Sequence, residues 1–397
     1  MKTAGIICEY NPFHLGHAGH IEKTKRIIGG DAAIVCVMSG NYVQRGDVAV
    51  FGKHARAKMA VQSGADLVIE LQAPYALQSA EGFAGAGVYL LEKTGICDYL
   101  SFGSESGEIG LLRDAASAMA TDQAQDLTRE WLSKGVSYAA AQQKAAGFLL
   151  GKHAGIFDSP NNLLGIEYIK ALAKYNSKLM PITVLRTGGD HDSDTGYSAS
   201  ALRKKIINGI IPRAAMTGAA ASICSEEIDA GRGPVSVDSL EQAILSRLRL
   251  ISDYTGIPGI SEGLECRFKR YAAAGSSVES ILEKIKTKRY LMSRLRRILM
   301  CAVLGIGDMY IKQPPPYIKV LAMNKTGMEL LKETRKKAKL PVIIKPASVH
   351  KLDTFAVRLF EMEAMATDLY SLAYKNPDDK AGGQEWRLSP VIADQSR

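Results

Sequence analysis

Short apolar runs alternate with helix-period segments through the first half of the chain, strands become scarce in the second half, and the surplus of positive charge is concentrated late. Together these observations predict an α/β protein in which a doubly wound parallel sheet is followed by a mostly helical, basic C-terminal domain. With 397 residues, 46% of them hydrophobic and 23% charged, the chain suits about two domains of roughly 150 residues. It carries enough apolar side chain for a large core, which excludes a small single module and wholesale disorder.

Thr3 to Cys8, Ala32 to Met38, Asp66 to Leu71 and Cys97 to Phe102 read as buried strands, and Pro181 to Leu185 as a later one. Between them, Gly16 to Ile28, Lys53 to Ser63 and Leu77 to Glu92 carry apolar residues at helical spacing. This βαβα alternation implies right-handed crossovers and a ligand crevice at the carboxyl ends of the strands. Ser104 to Lys170 is helical in pattern, with an Ala-rich stretch from Ala139 to Leu150, and suits an insertion or a cover on the sheet. Ser198 to Ile210 reads as a helix after the loop Thr187 to Tyr197, which is crowded with Gly, Asp and Ser. Later helices are expected over Asp238 to Leu250, Glu279 to Leu304 and Ala356 to Tyr374, and Val320 to Met323 and Pro341 to Ile344 suit a small separate sheet. The expected division is a nucleotide-handling domain over 1–211, a helical domain over 212–375 and a mobile tail over 376–397, where periodicity ends.

The 50 Lys and Arg against 41 Asp and Glu leave a net charge of +9. Ile281 to Arg297 holds seven basic residues and one acid, and Lys332 to Lys345 six and one, so the rest of the chain is slightly acidic. Only the later part is built to meet a polyanion. The six cysteines form no CxxC pair, and three lie in apolar strand-like runs, so buried free thiols are expected. No run reaches the roughly 18 apolar residues of a membrane span, and the N-terminus lacks a basic segment followed by a long apolar one. A reduced, cytoplasmic protein that does not enter the membrane is the expectation.

The sharpest feature follows the first strand: Glu9-Tyr10-Asn11-Pro12-Phe13-His14-Leu15-Gly16-His17, then an amphipathic helix. A helix opening near Leu15 points its free amides and positive dipole end into the crevice, where a phosphate chain is stabilised. Gly16 removes a side chain where a nucleotide must approach closely. His14 and His17, three apart, share one side of the helix and can donate N–H to phosphate oxygens; the plainer alternative is that one caps the helix and the other hydrogen-bonds the core. Such fixed donors suit attack on the α-phosphate of a nucleoside triphosphate, in which charge builds on nonbridging and leaving oxygens. Zinc held by His14, His17 and His20 is the weaker reading, because HExxH and a supporting cysteine pair are both missing.

His14-Leu15-Gly16-His17 resembles the signature of the HIGH-type nucleotidyltransferase superfamily, whose members have a Rossmann-like sheet and a second signature of the form Ser-Ser-x-x-Arg. Tyr197-Ser198-Ala199-Ser200-Ala201-Leu202-Arg203 matches the second, with Ala199 in place of a hydroxyl residue. Ser198 or Ser200 would cap the helix and Arg203 would reach the pyrophosphate side. A closer resemblance spans nearly the whole chain: GIICEYNPFHLGHAGH from Gly5, SGNYVQRGD from Ser39, GADLVIEL from Gly64, YALQSAEGF from Tyr75, SPNNLLGIEY from Ser159 and KRYLMSRLRRIL from Lys288. These segments are similar to those of the bacterial tRNA(Met) cytidine acetate ligase family. The resemblance implies activation of acetate by ATP to acetyl-adenylate, release of diphosphate, and acetylation of N4 of the wobble cytidine of elongator tRNA(Met). It also implies nucleotide contacts from Ile7, Cys8, Glu9, Tyr10, Asn11, Pro12, Phe13, Leu15, Gly16, Ala18, Gly19 and His20, with Gly103, one of Asn161 or Asn162, and Arg186.

Gln44-Arg45-Gly46-Asp47 follows the second strand at the crevice, where Arg45 would neutralise acetate or triphosphate. Lys53 and Arg56 open a helix against its dipole, which points modestly to a bound anion. Asp190, His191, Asp192 and Asp194 read as a solvated loop; Mg²⁺ is a possible companion of ATP and would ride on the triphosphate with several waters. On one continuous helix, Lys286, Arg289, Arg296 and Arg297 share a cationic face opposite Leu291, Leu295, Ile298 and Leu299. With Lys288, and with Lys336 and Lys337 as a second contact, they are the expected tRNA-binding residues. Two other functions fit part of the sequence. A small-molecule adenylyl- or cytidylyltransferase uses the histidines but not the basic half, and a non-catalytic RNA-binding protein uses the basic half but not the histidines.

Overall fold

The computed structural model describes residues 1–136, 138–186, 198–261, 263–287 and 289–393, except for the side chain of residue 139. The acidic loop 187–197 and the basic position Lys288 lie outside the described residues. The strands are β1 Thr3–Cys8, β2 Ala33–Ser39, β3 Tyr42–Val43, β4 Asp47–Val48, β5 Leu67–Leu71, β6 Tyr99–Ser104, β7 Met180–Leu185, β8 Ile318–Met323, β9 Val342–Ile343 and β10 Val391–Ile392. Among the described residues, eight of them form one sheet in the order β10-β8-β5-β2-β1-β6-β7, with β9 on β8, while β3 and β4 make a separate hairpin. The strands β5, β2, β1, β6 and β7 run parallel.

The central strand β2 (AIVCVMS) is buried along its whole length, as expected of a parallel strand covered on both faces. Its alternation divides the core: Val35 and Val37 join Leu67, Leu91 and Phe102 on one face, and Ile34, Cys36 and Met38 join Ile21, Val61 and Ile223 on the other. Register places the C-terminal ends of β1 and β2 side by side, with Cys8 opposite Met38. The loop after β1 therefore opens where two parallel strands end. The strands expected from the sequence are present within two residues at each end, and the helix after β1 runs Leu15–Ile28.

Segments beyond the expected boundary near residue 211, including part of the expected tail, join the N-terminal sheet. The run expected to form a small separate sheet is β8, which lies antiparallel against β5 in the central sheet, and β10 in the supposed tail pairs with β8. Glu385 in that tail is fully buried. It accepts hydrogen bonds from Lys53 Nζ at 2.8 Å and Thr367 Oγ1 at 2.8 Å, and it also pairs with Lys319. Lys53 Nζ bonds Glu70 Oε1 at 2.6 Å, and Lys319 Nζ lies 3.0 Å from Glu70 Oε2 without hydrogen-bond alignment. The anion that excused Lys53 at a helix start thus belongs to the protein. Arg56 is likewise internal, donating to the carbonyls of Glu9, Ser39, Gly40 and Phe51.

The helix expected over Glu279 to Leu304 is two helices, Val278–Ile285 and Met292–Leu304, separated by a turn closed by a Thr287–Tyr290 bridge. Arg267 donates to the carbonyls of Lys284 and Ile285, satisfying the first helix's free end. Lys286 and Arg289 therefore do not share a helical face with Arg296 and Arg297. No described helix is long and apolar enough to cross a membrane.

Candidate active site

The chain leaves β1 through Tyr10 at φ +45°, an uncommon conformation for a bulky residue. The turn is locked from three sides. Asn11 Oδ1 accepts the Val50 N–H at 2.8 Å, Arg203 donates to the Asn11 carbonyl at 2.9 Å, and Phe13 is wholly buried. His14 is the N-cap of the Leu15–Ile28 helix: its Nδ1 accepts the Gly16 N–H at 3.0 Å, and His17 Nδ1 accepts the His14 N–H at 3.3 Å. The two imidazoles stack with centroids 3.7 Å apart, and His17 also lies against Tyr10 and Phe13.

This reciprocal cap fixes the chemistry of the pair. With each Nδ1 engaged as an acceptor, the proton of each neutral ring sits on Nε2, which is the remaining donor. Burial, then Arg186 and Arg203, push the pKa of His14 down to about 4. Burial, His14, Arg186 and His20 hold His17 well below the ordinary value. Both rings are therefore neutral N–H donors at neutral pH. Gly16 has a reason beyond the one anticipated, since a Cβ there would stand 2.8 Å from Cε1 of His14. His20 turns to the sheet, with Nε2 3.0 Å from Ser101 Oγ, and is held at a pKa of about 4 by burial, Arg186 and Lys23.

The other expected nucleotide contacts fall into two groups. Ile7 packs in the core against Gly87, and Cys8 and Tyr10 lie against Cys36, with Tyr10 Oη 3.5 Å from its sulfur. Burial pushes the Cys8 thiol well up, so these residues offer the crevice backbone rather than reactive groups. Pro12 is buried, while Leu15, Ala18 and Gly19 lie on the opening turns of the helix, with open space above Gly19. Gly103 ends beneath Arg186, whose Cγ would lie 3.0 Å from an added Cβ; Arg186 is exposed and is one of the charges acting on all three histidines. Ser198, not Ser200, caps the Ala199–Ile207 helix by accepting the Ala201 N–H at 3.2 Å, and Ser200 is exposed.

The adjacent asparagines are distinguished by burial. Asn162 is buried, and its Oδ1 accepts the N–H groups of Glu105 and Ser106, each at 3.0 Å. Asn161 is half-buried and its amide donates to Glu105. Glu105 escaped the sequence reading although its carboxylate also takes the backbone N–H groups of both asparagines, because its partners lie 56 and 57 positions away and no local pattern links them.

Arg45 is exposed at the tip of the β3–β4 hairpin. Gln44 N donates to Glu9 Oε1 at 2.7 Å, which ties the hairpin to the end of β1. Gly46 has φ +75°, and a Cβ there would stand 2.4 Å from backbone atoms of Arg296 and Arg297. The hairpin thus joins the crevice to the basic helix Met292–Leu304. Gly46→Ala is expected to destabilise the protein by about 1–3 kcal/mol through backbone strain and that clash; urea unfolding measures it, and an unchanged midpoint would refute the close approach. Arg296 is exposed and Arg297 half-buried, with a pKa lowered by burial and by Arg294. Lys286 and Arg289 are exposed.

Lys336 and Lys337 lie elsewhere. Their helix, Lys325–Lys337, starts where Asn324 bonds Asp66 and ends against Gly95, at the amino ends of β5 and β6. It therefore occupies the edge of the sheet opposite the crevice, and Glu333 pairs with both lysines. The two basic segments do not make one surface. Among the described residues no group of three His, Cys, Asp or Glu side chains is placed to hold a metal ion.

A largely parallel sheet carrying a histidine-capped helix at the end of its central β1 defines a nucleotidyltransferase, and the family model described as HIGH Nucleotidyl Transferase matches residues 1–385. The tRNA(Met) cytidine acetate ligase of Acetivibrio thermocellus is 38% identical over 419 residues, covering 99% of this chain and 100% of that protein. That of Caldicellulosiruptor saccharolyticus is 37% identical and covers 94% of this chain and 95% of its own. Solved structures of Thermotoga maritima TmcAL, bound with alpha-thio ATP and apo, match with TM-scores of 0.91 and 0.94 at 32% identity over 100% of both chains. The present chain belongs to the tRNA(Met) cytidine acetate ligase family.

Proposed function

We propose that this chain is an ATP-dependent ligase that converts acetate to acetyl-adenylate and acetylates N4 of the wobble cytidine of elongator tRNA(Met), releasing AMP and diphosphate. The observation that carries this reading is the reciprocal cap of His14 and His17, which leaves two neutral Nε2–H donors beside an open helix N-terminus where β1 ends. Acetate attacks the α-phosphorus, the bond to the bridging oxygen breaks, and diphosphate leaves. Donors fixed in advance favour the charge that develops. Arg186 and Arg203 add positive charge, Asn161 is the more accessible asparagine for the nucleotide, and Mg²⁺ would enter on the triphosphate oxygens. In the second step the cytidine, splayed from its stack, attacks the acetyl carbon. ATP and a tRNA acceptor place this work in the cytoplasm.

The segment offered to tRNA includes Arg296 and Arg297, against whose backbone Gly46 of the hairpin packs, with the exposed Lys286 and Arg289 in the turn before the Met292–Leu304 helix. It adjoins the crevice, which a small-molecule nucleotidyltransferase would not need, and it leaves out Lys336 and Lys337. Incubation with ATP, labelled acetate and bulk tRNA, followed by nuclease digestion, should yield labelled N4-acetylcytidine; labelled product without RNA, or none at all, would refute the assignment. Arg296→Glu with Arg297→Glu should weaken tRNA binding and reduce the slope of log affinity against log salt by about 1 for each phosphate no longer neutralised. An unchanged slope would exclude this helix from the interface.

A further inference from the structure

We infer that Glu9 is the general base of the acetyl-transfer step, accepting the proton that the cytidine N4 amine loses; this rests on the ligase reading above. The transfer needs such a group. As the N4 lone pair forms a bond to the acetyl carbon, the carbon–oxygen bond to AMP breaks, its electron pair stays on the phosphate oxygen, and one N4 proton must leave. A positioned base contributes roughly 10²–10⁴-fold to such a step.

The groups around the crevice narrow the choice. His14 and His17 have Nδ1 committed to backbone N–H groups, and their low proton affinity makes them donors rather than bases. Cys8 and Tyr168 are held protonated by burial. Glu9 stands half-buried just after β1, five positions before His14, bonded to the hairpin whose Gly46 touches the Met292–Leu304 helix. Its Oε1 is anchored by the Gln44 N–H at 2.7 Å, while among the described residues no hydrogen bond goes to Oε2. The charged and titratable groups facing it are Arg45 on the hairpin, Arg56 on the Lys53–Gln62 helix, Arg203 on the Ala199–Ile207 helix and Tyr168 on the Pro160–Lys174 helix. Burial raises its pKa, against the opposing pull of the Gln44 N–H and the three arginines. A carboxylate shifted toward neutrality is a better base than an ordinary one. Asp47, the other carboxylate near Arg203, likewise has one oxygen taken, by the Val48 N–H at 2.8 Å, but it sits on β4 of the hairpin rather than at the end of β1.

The test separates the two half-reactions. Acetate-dependent ATP–pyrophosphate exchange reports activation, and rapid mixing of enzyme carrying labelled acetyl-adenylate with tRNA reports transfer in a single turnover. Glu9→Gln keeps an oxygen for the Gln44 N–H but no base, and should slow transfer by roughly 10²-fold or more beyond any loss of exchange that follows from its place among the expected nucleotide contacts. Wild-type transfer should rise with pH to a plateau with a midpoint above the ordinary carboxyl value, a limb that Glu9→Asp retains and Glu9→Gln loses. Equal loss of exchange and transfer would make Glu9 only an anchor of the loop, and a larger transfer defect in Asp47→Asn would move the base there; either result overturns the proposal. If Glu9→Gln fails to fold, the wild-type limb decides, and its absence refutes the assignment. Wild-type enzyme without acetate-dependent exchange would instead bring down the ligase reading on which it rests.

Discussion

Replacing His17 with asparagine is expected to lower acetate-dependent ATP–pyrophosphate exchange roughly 10²–10³-fold, the loss that follows removal of one preorganised donor. Asparagine is chosen because its Oδ1 falls near the position of the imidazole Nδ1 and can accept the His14 N–H, so the cap survives while the Nε2–H donor is lost. Glutamine, whose amide nitrogen reaches farther, should recover part of the activity. tRNA affinity should be nearly unchanged in both, because the basic helix Met292–Leu304, the proposed tRNA contact, meets the crevice through the hairpin rather than through His17. Filter binding at fixed salt measures this, and parallel loss of exchange and affinity would contradict the separation. The lowered pKa values add a second readout. Wild-type exchange should stay level as pH falls from about 8 to about 5, since His14 gains its proton only near 4, whereas a midpoint near the ordinary histidine value of about 6.5 would show that the pair is not held neutral.

Lys319→Met should destabilise the fold by about 3–5 kcal/mol, the typical result of removing one partner from a buried ion pair. Lys319 on β8 and Lys53 together face Glu70 on β5 and Glu385 near the C-terminus, all nearly inaccessible. Removing one cation leaves two buried carboxylates around the other. Adding Glu385→Gln restores the balance and should recover part of the loss, so the double variant should be more stable than additivity of the single changes predicts. Urea unfolding at neutral pH measures the cycle, and strictly additive losses would mean that the four groups do not act together.

The pH dependence of this cluster has two opposite limbs. Burial raises the Glu70 pKa, but Lys319 and Lys53 outweigh it and hold the group at about 2. Its folded value lies below its unfolded one, so this stabilisation is complete above about 4.5 and is lost as pH falls toward 2. Glu363 is pushed up to about 7 by burial and by Glu70, so its contribution is complete below about 4.5 and is lost as pH rises through 7.

Local pattern was sufficient wherever a segment's own residues set its structure. The parallel strands β1, β2, β5, β6 and β7 announce themselves as short apolar runs. His14-Leu15-Gly16-His17 carries cap, close approach and donors within one helical turn, so the center of the site was legible before any coordinate. Arg203, in the second signature, is expected on the pyrophosphate side; its bond to the Asn11 carbonyl of the first loop has no local sign in the sequence.

What the sequence by itself determined, then, is the nucleotide end of the molecule, because hydrophobic periodicity and helix capping act over a few residues. Tertiary structure alone decided the rest. Val320 to Met323 is a short apolar run with no local sign that its partner is β5, some 250 positions earlier, and Lys53 and Arg56 gave no hint that their counterparts are Glu385 and the carbonyls at the strand ends. The same holds for the two basic segments, whose charge is visible in composition but whose separation to opposite edges of the sheet depends on Gly46 against Arg296 and Gly95 against Lys337. Burial and ion pairing are set by which surfaces meet in space, and that meeting is the product of long-range packing rather than of neighbouring residues.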